Sequence, residues 1–526
     1  MKFQALSPWG FAAIAIYLAG LALISIVSRR RAVMANDYLN ATNSLPTWAA
    51  ALSFLAYNCG SIEIIGMSAM ASQYGVQALH FYWIGGIPGM VFFALVVLPV
   101  YIRSGARSLP EYLDRRFGPR VRLLNACISM VGTASLAGAS LYAIAHVLHV
   151  VLGCNLLLGA LVSAMVVLAY VLLGGIRATI YTSIFQFFVV IAGLFPLLIA
   201  TFPFRLATFA QRPEAWHLWQ TLPLFAPHAS LDRLGVVAGL GFVVSFSYWC
   251  TDFVVVQRAL TARGVEEARE VPILAGFGKI AIAFLIVLPG AAAPTYLKGA
   301  HAASHDETMP ALLALVYGPT LLGLGVAALL SGLMAGFAGN AAGFAAAWTQ
   351  EVYRIRIRPG RPEQHYIRMG RWAVVMCFLL AGLAAYLAAQ FRDLMEFLQL
   401  VLSLFYAPLL AAVLAGMFRK QARERDALAG ILLGVMTGIT LEVCVALDAI
   451  HFGSQMNANF YIAILSFTVS MLVAFRVGSR TRRGSAAVVE LPLEPMMVSA
   501  LRPSLITGVL SVLLLAACLA LNLIWR

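Results

Sequence analysis

Charged residues are scarce in this chain of 526 residues, because Asp, Glu, Lys and Arg together make up only 11% of it. Ordinary soluble domains contain about 25% charged and roughly 45–50% apolar residues, whereas hydrophobic residues reach 61% here. The lack of charge excludes a soluble globular domain. The excess of apolar residues excludes a disordered chain, which needs low hydrophobicity and high charge.

Cysteine is also sparse, with seven residues and none in a CxxC pair or at a Cys/His spacing typical of a metal site. The sequence has no Gly-rich phosphate loop, no HExxH zinc motif and no serine nucleophile elbow. A disulfide framework is thereby excluded, and nothing supports a membrane enzyme. We therefore expect no catalytic residues and no organic cofactor.

The sequence instead has a series of apolar stretches separated by short connections rich in Gly, Pro and Arg. A helix needs about 20 apolar residues to cross the roughly 30 Å hydrocarbon core of a bilayer. The stretches predict an all-α polytopic membrane protein, with the lipid bilayer as its surroundings and about 14 transmembrane helices, over residues 8–28, 46–72, 80–102, 123–151, 155–174, 179–203, 234–256, 272–297, 311–348, 372–390, 394–418, 427–448, 459–475 and 503–524.

The formal charge of +14 does not indicate nucleic-acid binding, because the positive residues are concentrated in alternate connections between the predicted helices. Of the 36 Lys and Arg residues, 28 fall in alternate connections and seven in the others, and Lys279 lies inside a helix. Cytoplasmic loops of membrane proteins carry the excess of Lys and Arg. This asymmetry predicts a multi-pass protein of the cytoplasmic (inner) membrane with both termini outside the cytoplasm.

Two of the predicted helices contain small and polar residues near mid-membrane. The first stretch is NCGS at 58–61 and the second is SFSYWCTD at 245–252. The two stretches are five helices apart, a spacing expected of inverted repeats with a solute site between discontinuous helices. Small polar residues that simply let helices pack closely are the alternative for either stretch alone.

Several motifs resemble the solute:sodium symporter family, the group of the sodium/glucose and sodium/proline transporters, which has the leucine-transporter fold. They are SLPEYLDRRFG at 108–118, GGIRA at 174–178 with Thr182 and Gln186, YW at 248–249 with QRAL at 257–260 and EEAR at 266–269, and EVYR at 351–354. The similarity covers residues 36–420 in order, which is more specific than any single motif.

The resemblance implies a 5+5 inverted-repeat core and alternating access. The domains it implies are an N-terminal extra helix with its cytoplasmic link (1–45), a first five-helix repeat (46–203), an outer loop (204–232), a second inverted repeat (233–418) and three additional C-terminal helices (419–526). It also implies a sodium position formed by backbone carbonyls matching Ala56 and Cys59 and by hydroxyl side chains on the ninth helix, with a nearby aspartate.

At the side chains this sequence departs from the family pattern. The two hydroxyl positions read Ala335 and Gly336, and the aspartate position reads Ser183. Sodium is a hard cation that needs oxygen ligands, so these changes remove two ligands and a charge. Ser331, one turn before Ala335, is the predicted substitute hydroxyl together with Ser183. The coupling ion therefore stays open between sodium and a proton.

Charged side chains at mid-membrane cost roughly 2.5–3.5 kcal/mol each, so those that are present are functional candidates. Glu63 and Lys279 are such residues, and the resemblance implies that their positions line or gate the solute cavity together with those of Asn58 and Tyr248. Tyr82 stands where a sugar-binding relative has a glutamate. Glu63 and Lys279 either present opposite charges to a polar solute or form a structural ion pair.

The sequence predicts a secondary active transporter that moves a small polar organic solute, coupled to a cation. One rival is a proton-coupled or uncoupled transporter, with Glu63 or Asp252 as the titrating group. The other is a transporter-like sensor, which would need a separate signalling partner. The sequence identifies no solute, no stoichiometry, no oligomeric state and no protein partner.

Overall fold

The computed structural model describes residues 6–29, 45–106, 108–201, 213–219, 222–226, 228–297, 304–419, 422–476 and 502–526, without the side chains of residues 28, 29, 173–178, 213, 214 and 476. Every secondary-structure element in these ranges is a helix, apart from one isolated β-bridge between Leu45 and Ala262. The all-α prediction is therefore confirmed. The link at 30–44, part of the predicted outer loop (204–212, 220, 221 and 227) and the segment at 477–501 lie outside the described residues.

We number the helical segments α1 to α17 in chain order. They are α1 Pro8–Arg29, α2 Thr47–Asn58, α3 Ile62–Leu79, α4 Phe81–Arg103, α5 Leu109–Arg116, α6 Pro119–Leu152, α7 Leu156–Thr201, α8 Gly235–Thr251, α9 Phe253–Ala259, α10 Val265–Tyr296, α11 Thr308–Val316, α12 Pro319–Ile357, α13 Glu363–Ala388, α14 Leu394–Phe418, α15 Glu424–Ala446, α16 Gln455–Arg476 and α17 Leu505–Ile524.

Among the described residues, eleven helices are long and apolar enough to cross a membrane, or thirteen if each of two bent pairs is one span. Leu156–Leu172 is a shorter apolar helix. The count of fourteen and the boundaries of the two five-helix repeats stay predictions.

Both predicted helix breaks are present. The chain bends by 57° between α2 and α3 and by 61° between α8 and α9. The first bend follows Asn58, whose side-chain amide donates to the Phe54 carbonyl one turn earlier on the same helix, at 2.8 Å. At the second bend Asp252 is extended and its carboxylate caps α9 by accepting from the Val255 N–H at 2.8 Å.

The segment α7 supplies two predicted spans, although its helical assignment is continuous. A straight helix would hold Tyr170 and Gln186 about 24 Å apart. Instead the Tyr170 hydroxyl donates to the Met334 carbonyl at 2.9 Å, Gln186 donates to the Tyr17 hydroxyl at 3.0 Å, and the Tyr170 and Gln186 side chains interact. The chain therefore turns back between these residues.

The prediction of one long helix over 311–348 is wrong. Tyr317 and Gly318 are extended, so α11 ends at Val316 and a new helix begins at Pro319. Proline is favoured in the first turn of a helix and disfavours helical backbone in the residue before it. The Gly-Pro dipeptide at 318–319 thus separates a short helix from the long span α12.

The centre of the bundle is α12, which is buried along most of its length and packs against α6 and α7. Small residues let neighbouring helices approach it closely. A methyl carbon at Gly323 would lie 2.2 Å from the Cα atom of Gly10, so α1 also packs directly on α12. This packing fixes α12 opposite the break between α2 and α3.

We expect Gly323→Ala to lower the free energy of unfolding by about 1–3 kcal/mol, since the added methyl group must push α1 away from α12. Gly382→Ala in α13 is the matched control, because no atom lies within 4 Å of a methyl carbon there. Thermal unfolding midpoints of the purified variants test the difference. Equal midpoints for the two variants would contradict the close packing of α1 on α12.

Candidate functional site

The two breaks border one cavity of about 70 Å³ in the interior of the bundle. This volume has room for a few water molecules. It is lined by all five residues predicted to bind solute, namely Asn58, Glu63, Tyr82, Tyr248 and Lys279. The structure therefore brings together side chains from α2, α3, α4, α8 and α10 that are up to 221 positions apart in the sequence.

Glu63 and Lys279 form an ion pair inside this cavity, and each side chain is only 6% exposed. The Tyr82 hydroxyl donates a second hydrogen bond to the Glu63 carboxylate. The Lys279 ammonium also lies 5.3 Å from the ring centre of Trp249, within the range of a cation–π interaction. Each buried charge thus has a partner, as the cost of burying charge requires.

Asn58 and Tyr248 join the two broken helices. The Tyr248 hydroxyl donates to the Asn58 side-chain oxygen at 2.8 Å, while the Asn58 amide is held by the Phe54 carbonyl. Both hydrogen-bonding groups of the Asn58 side chain are therefore satisfied between α2 and α8. A change in the angle between the two helices must break or rebuild this contact.

The remaining lining of the cavity was not predicted from the sequence. Trp249 and Phe81 supply aromatic faces, and Gln399 from α14 adds an amide. Trp249 follows Tyr248 in the YW motif, so this motif could have identified Trp249 as a residue of the cavity. Gln399 lies in an ordinary apolar helix, and only the packing of α14 against α3 places it in the cavity.

The predicted sodium position also assembles around the first break. The Cys59 carbonyl oxygen would lie 2.6 Å from a methyl carbon at Gly332, and Gly336 faces Gly60. Gly332 and Gly336 on α12 therefore face this break. The Ala56 carbonyl accepts from the Cys59 N–H at 3.2 Å, so it already has one partner.

The side-chain oxygens predicted as substitutes have other partners. The Ser331 hydroxyl donates to the Gln186 carbonyl at 3.1 Å, which directs it to α7. The Ser183 hydroxyl donates to the Thr179 carbonyl at 2.5 Å. The side chains at the two family hydroxyl positions, Ala335 and Gly336, supply no oxygen, so they cannot act as the side-chain ligands that sodium prefers.

Arg258 differs from its sequence interpretation. It was counted among the loop cations, but it is only 4% exposed and lies within the bundle. Asp252, a candidate titrating group in the sequence, is fully buried, where it caps α9 and accepts from the Tyr406 hydroxyl at 3.1 Å. The loop motif at 108–118 is also built into the core, since Arg116 donates to the Gly416 carbonyl at 2.7 Å.

Comparisons with known proteins agree with this arrangement. The chain is 26% identical to the sodium/glucose cotransporter of Vibrio parahaemolyticus over 82% of this chain and 84% of that protein. It is 25% identical to the sodium/myo-inositol cotransporter 2 of Rattus norvegicus over 81% of this chain and 68% of that protein.

Among solved structures, the fold is similar to that of a Na+-coupled sialic acid symporter, with a TM-score of 0.76, 17% identity and coverage of 89% of this chain and 97% of the other. A transporter solved in complex with L-phenylalanine has a TM-score of 0.52 at 10% identity, over 82% of this chain and all of the other. These likenesses confirm the leucine-transporter fold.

The model of the sodium:solute symporter family matches residues 38–434, which is most of the chain. The match includes both broken helices and the cavity between them. Members of this family are secondary active transporters and not enzymes, and their many apolar helices make them multi-pass membrane proteins. The chain therefore belongs to the sodium:solute symporter family.

Proposed function

We propose that this protein moves a neutral, hydroxyl-rich solute of the monosaccharide or polyol class through the cavity between its two broken helices. The convergence of Asn58, Glu63, Tyr82, Tyr248 and Lys279 on one buried cavity carries the proposal. Relatives named for glucose and myo-inositol transport support the solute class. This chain has Tyr82 where a sugar-binding relative has a glutamate, so we do not transfer the glucose or galactose specificity of that relative to it.

The charge balance of the cavity favours a neutral solute. Glu63 and Lys279 neutralise one another, so the cavity offers hydrogen-bond donors and acceptors without a net charge. Aromatic rings of Tyr248, Trp249 and Phe81 surround these polar groups. A few placed polar groups among aromatic faces are typical of a site that orients a small organic ligand.

The cavity must widen before it can hold such a solute, because its present volume of about 70 Å³ accommodates only a few water molecules. Movement of α2 and α3 against α8 and α9 at their bends would supply this change, as expected for alternating access around a midplane site. We place the protein in the cytoplasmic membrane with both termini outside, from the distribution of Lys and Arg.

Uptake of radiolabelled monosaccharides and myo-inositol into proteoliposomes, measured beside tryptophan fluorescence of the purified protein, tests the function. We expect at least one of these solutes to be taken up against its gradient and to quench Trp249, which lines the cavity. Quenching without uptake would indicate the transporter-like sensor instead. Neither quenching nor uptake across the panel would contradict the proposed solute class.

Tyr248→Phe is expected to weaken solute binding about tenfold, because under the proposed function the Tyr248 hydroxyl in the cavity lining pairs with the solute, and a buried polar group left unpaired typically costs 1–3 kcal/mol. Tyr386→Phe is the control, since Tyr386 is 67% exposed on the outer face of α13. The measurement is a fluorescence titration with the solute that wild type binds. Unchanged affinity in Tyr248→Phe would remove this residue from the site.

A further inference from the structure

Arg258 is a buried cation beside the predicted sodium position. Its guanidinium Nη1 donates to the Ser53 carbonyl at 2.8 Å and also to the Ser53 hydroxyl. Nη2 lies 3.4 Å from the Ser183 hydroxyl, and Cζ lies 4.9 Å from the ring centre of Tyr57. Arg258 therefore contacts α2 and α7, two of the three helices that carry the predicted sodium position.

The third of these helices, α12, is equally close. A methyl carbon at Gly339 would lie 3.3 Å from Nη2 of Arg258. Ser53 precedes Ala56 by about one helical turn, and Gly339 follows Ala335 by about one turn. The guanidinium thus lies about one turn from the predicted sodium position along α2 and α12, and it contacts Ser183 of that position on α7.

No carboxylate forms an ion pair with this guanidinium within the described residues. None of the ion pairs found there includes Arg258, and every hydrogen-bond partner of its guanidinium is a neutral oxygen. The position that matches the family aspartate holds Ser183, which is the residue that Nη2 contacts. The replacement therefore leaves the neighbourhood of the sodium position one unit more positive.

We propose that the Arg258 guanidinium supplies, at this point of the bundle, the positive charge that sodium supplies in a sodium-coupled transporter. This chain then binds solute and changes conformation without bound sodium. The inference rests on the proposed function, because it concerns what drives or accompanies the same solute. Two observations support it independently: residues 335 and 336 offer sodium no side-chain oxygen, and a guanidinium without an ion-pair partner opposes the entry of another cation.

The first measurement is the thermal unfolding midpoint of the full purified chain in sodium, potassium and choline chloride at matched ionic strength. A ligand bound only by the folded state raises the midpoint, so we expect the three salts to give the same value. A rise specific to sodium would overturn the proposal. It would also direct attention to the Ser61 and Ser140 hydroxyls, which lie 3.2 Å apart beside Gly336.

The second measurement separates the effect of the Arg258 charge on sodium binding from the effect of the missing hydroxyl ligands at positions 335 and 336. Ala335→Ser and Gly336→Ser restore both hydroxyl groups, and the new Cβ at 336 needs only a small shift of Ser140, whose oxygen lies 3.3 Å away. Into this background we introduce either Ser183→Asp or Ser183→Asn, which have nearly the same size. Only the aspartate pairs with Arg258, so we expect it to bind radioactive sodium at least tenfold more tightly, as a nearby opposite charge implies.

Equal sodium affinity in the two triple variants would overturn the role of the Arg258 charge. Unfolding midpoints in potassium chloride confirm that both variants fold. Solute quenching in choline chloride then separates this inference from the proposed function. Quenching that requires sodium overturns only the inference, whereas sodium titrations as expected with no quenching by any solute, in either salt, overturn only the proposed solute class.

Discussion

Lys279→Met will lower the free energy of unfolding by about 3–5 kcal/mol, the usual cost of breaking a buried ion pair by removing one partner. The variant leaves the Glu63 carboxylate in a cavity where its side chain is 6% exposed, with the Tyr82 hydroxyl as its remaining partner. Chemical unfolding in detergent measures the loss. Arg392→Met, on an exposed residue, should change stability by no more than about 0.5 kcal/mol.

The double variant Glu63→Gln/Lys279→Met distinguishes the two roles of the pair. It removes both charges, so we expect it to regain most of the stability lost by Lys279→Met. We also expect both Lys279→Met and the double variant to lose solute uptake, because under the proposed function both groups contact the solute. Recovery of uptake together with stability would show that the pair is only structural, and a double variant as unstable as the sum of the singles would contradict the ion pair itself.

The sequence predicted the elements of this site better than their contacts. NCGS at 58–61 and SFSYWCTD at 245–252 identified both broken helices, because polar residues in an apolar run are visible without any tertiary information. The resemblance then supplied the five cavity positions. That Glu63 contacts both Lys279 and Tyr82 depends on the packing of α3, α4 and α10, which no local pattern encodes.

The errors have the same physical origin. Ser331 was expected to face the sodium position because it lies one turn before Ala335, but a shift of one residue rotates a side chain by about 100° around a helix. Gly332 faces Cys59, and Ser331 therefore faces Gln186. Arg258 was counted as a loop residue because it follows a predicted helix end, whereas the bend at Asp252 returns α9 into the bundle.

A second region of the protein is expected to respond to pH. Asp306 is fully buried in the connection between α10 and α11, outside the spanning helices. Its carboxylate accepts from the Leu394 N–H at 3.0 Å and from the Tyr142 hydroxyl at 3.1 Å. The pKa of Asp306 is raised from its ordinary 3.8 to about 7, mainly by burial and in part by Asp393, against the lowering effects of the hydrogen bonds from Leu394 and Tyr142 and of His146.

A raised pKa means that the folded protein holds this proton more tightly than the unfolded chain does. The contribution of Asp306 to stability is therefore fully present below about pH 4 and is lost as the pH rises to about 7. The loss amounts to about 4 kcal/mol. Since Asp306 holds the first residue of α14, and Met395 and Gln399 on that helix line the cavity, its ionisation also bears on the shape of the solute site.

Asp306→Asn keeps a neutral side chain at every pH, so the variant should lose this pH dependence and be more stable than wild type above pH 7. Unfolding midpoints between about pH 4.5 and 8.5 measure the effect, with Asp448→Asn as the control because its side chain is 88% exposed. Parallel pH profiles for wild type and Asp306→Asn would show that Asp306 ionises without cost. A profile that flattens only in Asp306→Asn would place the pH response of the protein in the connection between α10 and α11, beside the first residue of a helix that lines the cavity.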